Sequence, residues 1–254
     1  SFSLGVGNTA KAYNTVIGKF SKEDIASGYI SNTIGDAFVI GNGTKSISSG
    51  TITKSNAFRV TNTGGVFGMS SFNSSGADYA ECFEWKDSNP NEENRAGKFV
   101  TLDGDKVKIA STDDDILGVV TANSSVIGNN PIDWEGRFVK DVYGCIQCDK
   151  EGIPITSPTY DESQPYVERT KRPEWATIGL VGQLVVEDDG TCIPNEYCHV
   201  LDGIATAVTE EEKASWEKAL KKVQSNYVKS VFYKAIGYRV LKRLDENHVL
   251  ILFK

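Results

Sequence analysis

The spacing of hydrophobic and polar residues changes near residue 77 of the 254-residue chain. Before that point, short β-branched runs stop repeatedly at glycine, which predicts a repetitive β structure of short strands and turns. Strands this short bury too little surface within one chain, so we expect three chains to wind together; a flexible Gly/Ser/Thr linker is the alternative. The repeated phrases are Leu4-Gly-Val-Gly-Asn-Thr9, Val16-Ile-Gly-Lys-Phe-Ser21, Thr33-Ile-Gly-Asp36 and Val39-Ile-Gly-Asn-Gly-Thr44.

Longer strands are predicted after residue 77, because the apolar runs there are longer. A β-hairpin is predicted to turn at Asp103-Gly104-Asp105, with residues 98–102 and 106–110 as its strands. The other predicted strands are residues 116–121, 138–143, 178–186 with a bulge or bend at its glycines, and a final pair at 237–242 and 248–253.

Residues 154–173 hold four of the seven prolines, which predicts an extended surface excursion rather than a regular element. The excursion could be an arm that contacts a neighbouring chain, or an ordinary long loop.

One amphipathic helix is predicted at residues 209–226. Thr209 stands at the N-cap and Glu212 at the capping-box position three residues later. The apolar residues Trp216, Ala219, Leu220 and Val223 recur at helical spacing and form one stripe. That stripe either packs on its own domain or lines a threefold axis between chains. The fold class predicted for the whole chain is therefore mainly β with one clear helix.

The charge is distributed unevenly between the two parts of the chain. Residues 1–77 carry six Lys or Arg against three Asp or Glu, whereas residues 78–254 carry 21 against 31, a change from +3 to −10 that sums to the net −7. An acidic chain lacks the cationic surplus that phosphate contacts need, so nucleic acid is not an expected partner. A continuous run of 18 apolar residues does not occur, so a membrane partner is not expected either.

The five cysteines, at positions 82, 145, 148, 192 and 198, all follow the change in pattern. Their number is odd and no secretory signal precedes them, which favours reduced thiols over a disulfide framework. Cys145 and Cys148 have the spacing of half a zinc site, but a second matched pair is missing, so neither a metal nor a cofactor is predicted. The chain begins at Ser1 without a methionine, which suggests a piece of a longer protein.

Two carboxylates, Asp78 and Glu81, stand three residues apart just past the change in pattern. If the segment from Asp78 is a helical turn, both side chains lie on one face, near each other and near the Ala77–Asp78 peptide bond. Close carboxylates share a proton, and such a pair can activate water and protonate a leaving amine. The residues alone leave a second interpretation open, namely favourable charge at a helix start.

Other hydrolytic arrangements find little support in the sequence. The chain has two histidines, His199 and His248, and lacks a G-x-S-x-G motif, so a Ser-His-Asp hydrolase has few candidate residues. A G-x-x-x-x-G-K-[ST] phosphate loop is absent from the sequence as well.

Six phrases after residue 76 are Ala77-Asp-Tyr-Ala-Glu-Cys-Phe-Glu-Trp85, Ile116-Leu-Gly-Val-Val120, Ser125-Val-Ile-Gly128, Gly136-Arg137, Asp141-Val-Tyr-Gly144 and Gly237-Tyr-Arg-Val-Leu-Lys-Arg243. Together they resemble a known family, the self-cleaving glutamic-peptidase intramolecular chaperone domain at the C-terminus of Bacillus-phage neck appendages and related tail spikes. The resemblance runs to the C-terminus and implies autocleavage between Ala77 and Asp78, with Asp78 and Glu81 as the catalytic residues. A related class of fibre chaperone cuts a Ser-Asp bond with a Ser/Lys pair, but Ala77 lacks that hydroxyl, so a carboxylate mechanism fits better.

The resemblance implies two domains: residues 1–77 as the end of a trimeric β-shaft, and residues 78–254 as an autoproteolytic intramolecular chaperone. The first part also resembles the trimeric left-handed β-rolls of adhesin heads and phage fibres, with residues 55–66 as a closing hairpin. The implied partners are two further copies of the chain, with the shaft as the folding client. The implied locations are the virion for the shaft and the host cytoplasm for the released domain. The alternative function is a non-cleaving trimerisation or receptor-binding tip of a phage fibre.

Overall fold

Strands dominate the described part of the fold, as predicted, with 17 strands and one α-helix. A computed structural model describes residues 1–8, 10, 14–22, 36–62, 64–112, 114–221 and 238–253. The chain divides into two units, one formed by Ser1–Asn73 with Cys148–Ile153 and the other by Ser74–Gln147 with Pro154–Lys254. No helix in the described ranges is long and apolar enough to cross a membrane.

The strands of the first unit are β1 (Phe2–Val6), β2 (Thr15–Lys19), β3 (Asp36–Asn42), β4 (Thr44–Lys45), β5 (Ile52–Thr53), β6 (Asn56–Thr61) and β7 (Val66–Gly68). Five of them form one sheet in the order β1-β2-β3-β6-β7. Its first three strands are parallel, and β6 and β7 form an antiparallel hairpin, which confirms the hairpin predicted within residues 55–66. A separate antiparallel pair consists of β4 and β5.

The repeated phrases stack on one another in this sheet. Gly5 pairs with Gly18 and Gly18 with Gly41, and the apolar residue before each glycine pairs in the same way. The repeat seen in the sequence is therefore a parallel ladder for three of the four phrases; residues 33–35 of the remaining phrase lie outside the described residues. Val16 and Val39 are the fully buried apolar side chains in the described part of this unit, so its interior is small.

The elements of the second unit are β8 (Asp78–Glu84), β9 (Phe99–Asp103), β10 (Lys106–Ile109), β11 (Gly118–Val120), β12 (Val126–Gly128), β13 (Trp175–Glu187), β14 (Tyr197–Leu201), β15 (Ile204–Ala207), α1 (Glu210–Lys221), β16 (Tyr238–Arg243) and β17 (His248–Phe253). Its strands form a ten-stranded sheet in which β10-β9-β11-β13-β17-β16-β14-β15 lie side by side. Strand β8 pairs with the first half of β13, and β12 pairs with the far edge of β8.

The long strand β13 organises this unit. Its first half pairs with β8 and β11 and its second half with β17, so it joins both ends of the sheet. The register with β8 shifts between Gly179 and Val181, which confirms the bulge predicted at the glycines of this strand. Two buried clusters lie along it: the larger includes Phe99, Leu184, Val249 and Ile251, and the smaller includes Trp85, Val100, Val107 and Ile178.

The hairpin, the final strand pair and the helix occur where the pattern predicts them. Strands β9 and β10 turn at Gly104, which has a φ of +72°, and β16 pairs with β17. At the start of α1, Thr209 N donates to Glu212 Oε2 at 2.8 Å and Glu212 N donates to Thr209 Oγ1 at 3.2 Å, so the capping box is confirmed. The end of the predicted helix, including Val223, lies outside the described residues, as do the side chains of Ala219 and Leu220.

The predicted strand at residues 138–143 is wrong. This stretch makes only isolated bridges, Phe138 with Thr156 and Lys140 with Ile146, and its backbone turns at Asp141, whose carboxylate accepts two backbone N–H groups. An Asp side chain that bonds its own following backbone competes with a regular ladder, so the strand ends almost as soon as it begins. The proline-rich excursion is irregular, as predicted, apart from a short 3₁₀ helix at Arg169–Lys171.

Candidate active site

The acidic pair lies on a β-strand and not on a helical turn, so the predicted local geometry is wrong. Along β8, Asp78, Ala80 and Cys82 are buried whereas Tyr79 is exposed and Glu81 is half-buried. This period of two is that of a strand packed on one face. A backbone that pairs with β13 on one side and β12 on the other cannot close helical hydrogen bonds, so tertiary pairing decides the conformation.

The strand separates the two carboxylates. Side chains three residues apart in a strand point to opposite faces, and their Cα atoms are about 10 Å apart. Asp78 therefore faces the interior, while Glu81 lies on the other face beside Tyr79, whose hydroxyl donates to Glu81 Oε1 at 2.6 Å. Within one chain, the structure does not bring Asp78 and Glu81 together.

Backbone N–H groups bond the carbonyl oxygens of both Ala77 and Asp78, the two residues joined by the bond predicted to be cut. Gln183 N donates to Ala77 O at 3.4 Å, which is long for a hydrogen bond, and Ser125 N donates to Asp78 O at 2.8 Å. These two donors come from β13 and from the residue that precedes β12. The bond predicted to be cut is thus an extended, tethered segment with one N–H directed at its carbonyl oxygen.

Gly182 makes this close approach possible. A Cβ built on Gly182 would stand 2.4 Å from Ala77 O and 2.7 Å from the Asp78 Cα, and its φ of +129° is one that L-residues rarely adopt. The bulge two residues earlier increases the local twist and turns β13 at this position. The bulge and the glycine together allow the backbone of β13 to lie against the Ala77–Asp78 bond.

The carboxyl group of Asp78 is buried, with 3% of the residue exposed. Burial raises the pKa of Asp78, and hydrogen bonds from Thr121 and from the backbone N–H of Asp78 itself act in the opposite direction without cancelling it. Thr121 Oγ1 donates to Asp78 Oδ1 at 3.4 Å, and Oδ2 has no partner among the described atoms. Asp78 therefore keeps its proton to a higher pH than an ordinary Asp, beside its own amide nitrogen.

A cavity of about 350 Å³ opens at this bond. Its lining includes Ser75, Ala77, Asp78, Thr121, Asn123, Gln183, Val185 and His248. Asp78 and His248 are the lining residues with ionisable side chains. His248 pairs with Glu187 whereas Asp78 pairs with Gly182, so about five residues of β13, or roughly 16 Å, separate them. His248 Nδ1 lies 2.8 Å from Asp245 Oδ1, so its ring is held away from the peptide bond.

Comparison with known proteins identifies the family of the chain. The family described as Peptidase_G2, IMC autoproteolytic cleavage domain, matches residues 24–240. The chain belongs to this family. The match begins before residue 77 and so extends further than the phrases that carried the resemblance in the sequence.

Two curated relatives are much longer than this chain. The chain is 32% identical over 139 residues to the pre-neck appendage protein of Bacillus phage B103, which covers 51% of this chain and 16% of that protein. It is 32% identical over 176 residues to the putative phage-related protein YobO of Bacillus subtilis, which covers 65% of this chain and 21% of YobO. The chain thus matches about a fifth or less of the length of these relatives.

A solved structure shares the fold. The crystal structure of the pre-mature bacteriophage phi29 gene product 12 superposes with a TM-score of 0.67 over 99% of this chain and 31% of that one, at 18% identity. This likeness extends the agreement from sequence to fold across both units of the chain.

Sequence reasoning missed three contributors to the site of this Peptidase_G2 chain, namely Thr121, Gly182 and Gln183. Thr121 directly follows the phrase at residues 116–120 that carried part of the resemblance, and Gly182 was noted as a place where a strand bends. Their contact with residues 77 and 78 depends on pairing across the sheet, which no local pattern records.

The cysteines take no part in this site. Cys145 and Cys148 are exposed, Cys82, Cys192 and Cys198 are buried, and all five are free thiols. Among the described residues, no group of three or more His, Cys, Asp or Glu is arranged to hold a metal ion.

Proposed function

We propose that this chain is the C-terminal intramolecular chaperone of a phage tail spike or neck appendage, which trimerises, folds the β-shaft and releases itself by cutting between Ala77 and Asp78. The observation that carries the proposal is the environment of that bond: a buried Asp78 carboxyl and a backbone N–H of Gln183 directed at the carbonyl oxygen. The shaft is residues 1–77, which would stay in the virion, and the chaperone is residues 78–254, which would be left in the host cytoplasm.

The proposed reaction is a single hydrolysis of the glutamic-peptidase type. The Glu81 carboxylate takes a proton from water, and the resulting hydroxide attacks the carbonyl carbon of Ala77. The N–H of Gln183 stabilises the oxyanion that forms on Ala77 O. Protonated Asp78 gives its proton to its own amide nitrogen and the C–N bond breaks, which leaves an amine on Asp78 and a carboxylic acid on Ala77. The Ala77 acid and Glu81 then each lose a proton, one to the new amine and one to solvent, so that Ala77 ends in a carboxylate.

Assembly into a trimer is proposed from the exposure of the first unit. Phe2, Leu4 and Val6 of β1 are 54%, 61% and 66% exposed, although a strand with this many apolar residues would normally bury one face. The buried apolar side chains in the described part of the first unit are those of Val16 and Val39. Hydrophobic burial within one chain therefore contributes little to the stability of this unit. Two further copies would cover these surfaces.

Substitution of Glu81 tests the proposed reaction. Glu81→Gln keeps the shape of the side chain but removes the proton acceptor, so the chain should remain uncut and still assemble; Asp78→Ala should slow or stop cleavage too. Glu84→Gln on the same strand is the matched control, because its partner Lys106 is partly exposed and the pair contributes little stability. Normal processing of Glu81→Gln, measured on denaturing gels, would remove Glu81 from the mechanism.

A second candidate is a trimerisation tip that never cuts. The separation of Asp78 and Glu81 on opposite faces of β8 is the observation that favours it. Purified full-length chain distinguishes the two, since a tip stays as one band whereas an autoproteolytic domain yields two.

A further inference from the structure

The two proposed catalytic carboxylates cannot meet within one chain. Asp78 lies on the interior face of β8 and Glu81 on the other, about 10 Å apart along the strand. Strand β8 is paired on both edges, by β13 and by β12, so rotating the strand to bring Glu81 inward would break both ladders. A working acid–base pair at one bond therefore needs a second source for one of the two groups.

We propose that the Glu81 which activates water at each Ala77–Asp78 bond is supplied by a neighbouring copy of the chain. This inference rests on the proposed function, and it specifies where the general base comes from. Each copy would give one Glu81 and receive one, so the active site would be complete only between copies.

The cavity at the bond supports a base that arrives from outside. Of its lining groups, Ser75, Thr121, Asn123 and Gln183 are neutral, and His248 lies roughly 16 Å from Asp78 along β13. Asp78 itself sits beside the leaving nitrogen and, because burial raises its pKa, holds a proton more readily than an ordinary Asp. Within the described part of the chain, the cavity thus contains the acid but no base within reach.

The surface around Glu81 suits contact with another copy. Tyr79, Val126 and Ile127 are 39%, 55% and 39% exposed, and the pairing of β8 with β12 sets Tyr79 beside Val126. Glu81 is fixed by the Tyr79 hydroxyl, and a Cβ on Gly128 would come within 3.0 Å of Glu81 Cγ, so the absence of a side chain there leaves room for it. A carboxylate held in one position and bordered by apolar side chains is a suitable group to insert into a partner's cavity.

A head-to-tail contact of this kind closes into a ring of three if each copy is rotated by one third of a turn relative to the last. In such a ring the surface at Glu81 of one copy faces the cavity at Asp78 of the next. An isolated chain would then be unable to cut itself, and cleavage would report that assembly has occurred.

Mixed assemblies test this directly. Asp78→Asn and Glu81→Gln chains with different affinity tags are co-expressed, and assemblies that contain both are isolated by purification on both tags in turn. Each variant alone should stay uncut. In the mixture, the Glu81→Gln chain keeps its own Asp78 and should be cut whenever its neighbour supplies Glu81. In trimers that contain both variants, this is about two-thirds of the Glu81→Gln chains at equal amounts. The Asp78→Asn chain should stay whole.

The outcomes separate the inference from the proposal beneath it. If each variant alone is uncut and the mixed assemblies are uncut too, sharing between copies is wrong while the catalytic pair stands. If Glu81→Gln alone is cut at the wild-type rate, the pair is wrong and both proposals fail. Glu84→Gln, cut like wild type, is the matched control.

A second mixture covers the case in which Asp78→Asn fails to fold. Wild-type chain is co-expressed with the Glu81→Gln chain at equal amounts, and cutting of the wild-type chain is followed by its tag. Sharing predicts that about half of the wild-type chains stay uncut, because half of their neighbours lack the base. Complete cutting of the wild-type chain would overturn the inference.

Discussion

Replacing Gly182 by Ala tests the contact between β13 and the bond proposed to be cut. The added Cβ would stand 2.4 Å from Ala77 O, whereas ordinary contacts begin near 3.4 Å, so the carbonyl must move by about 1 Å. The φ of +129° adds strain of about 1–3 kcal/mol, because Ala tolerates this backbone poorly.

The expected effect on rate is large. A displacement of about 1 Å at a reacting group costs roughly 100-fold, and loss of an oxyanion donor has a similar effect. We therefore expect Gly182→Ala to be cut about 100-fold more slowly than wild type in a time course on denaturing gels. Thermal unfolding of the uncut Gly182→Ala chain should show reduced stability but a single folded state.

Gly104→Ala is the matched control for this substitution. Gly104 also has positive φ, at +72°, but no described atom lies within 4 Å of the Cβ it would gain. It should lose about 1–2 kcal/mol of stability and keep the wild-type cleavage rate. A folded Gly182→Ala chain that cuts at the wild-type rate would refute the role given to β13.

Three further predictions follow from the same structure. Because folding raises the pKa of Asp78, the unfolded chain ionises at lower pH than the folded chain, so the folded chain loses stability as pH rises above about 4. On the uncut Glu81→Gln background, the free energy of urea unfolding of Asp78→Asn should therefore rise relative to that of the chain with Asp78 between pH 4 and pH 7. An equal difference between the two chains at both pH values would contradict this. Arg243→Ala leaves the fully buried Asp188 carboxylate without its partner at 2.8 Å and should lower the free energy of unfolding by about 3 kcal/mol; a change under about 1 kcal/mol would show the pair to be unimportant. Light scattering should find full-length chains as trimers before cleavage begins and residues 1–77 alone as monomers or aggregates; cleaved monomers that appear before any trimer would reverse this order.

Much of the fold follows from local pattern. The turn at Gly104, the capping box at Thr209 and the bulge within β13 each depend on residues close in sequence, so periodicity and turn chemistry predict them. The three glycine phrases predicted a repeat, and Gly5, Gly18 and Gly41 align in one parallel ladder.

The local geometry of the site could not be predicted in this way. Asp78 and Glu81 at a spacing of three fit the first turn of a helix, and nothing within the phrase excludes that interpretation. The strand forms because β13 and β12 pair with β8 from positions about 100 and 50 residues later in the chain. The resemblance to a family directs attention to this stretch, but only the sheet reveals that its two acids face apart.

Arg243 illustrates the same limit. It ends a phrase that carried the family resemblance, yet its sequence position suggests only a surface cation after an apolar strand. In the fold it bonds Asp188 and the backbone carbonyl of Cys192, and so connects the end of β16 to the loop that follows β13. Burial acts to raise the pKa of Asp188, but the hydrogen bonds that Asp188 accepts from Arg243 and from the backbone N–H of Cys192 hold the pKa below its ordinary value.

The most direct test of the account is the identity of the cut. Freshly expressed full-length chain is allowed to mature, its fragments are separated under denaturing conditions, and each is measured by intact mass and N-terminal sequencing. We expect two fragments, residues 1–77 ending at Ala77 and residues 78–254 beginning with Asp78, and a single uncut chain for Glu81→Gln. A fragment that begins at any other residue, or a wild-type chain that stays whole as a trimer, would contradict the proposal that this bond is the site of self-cleavage.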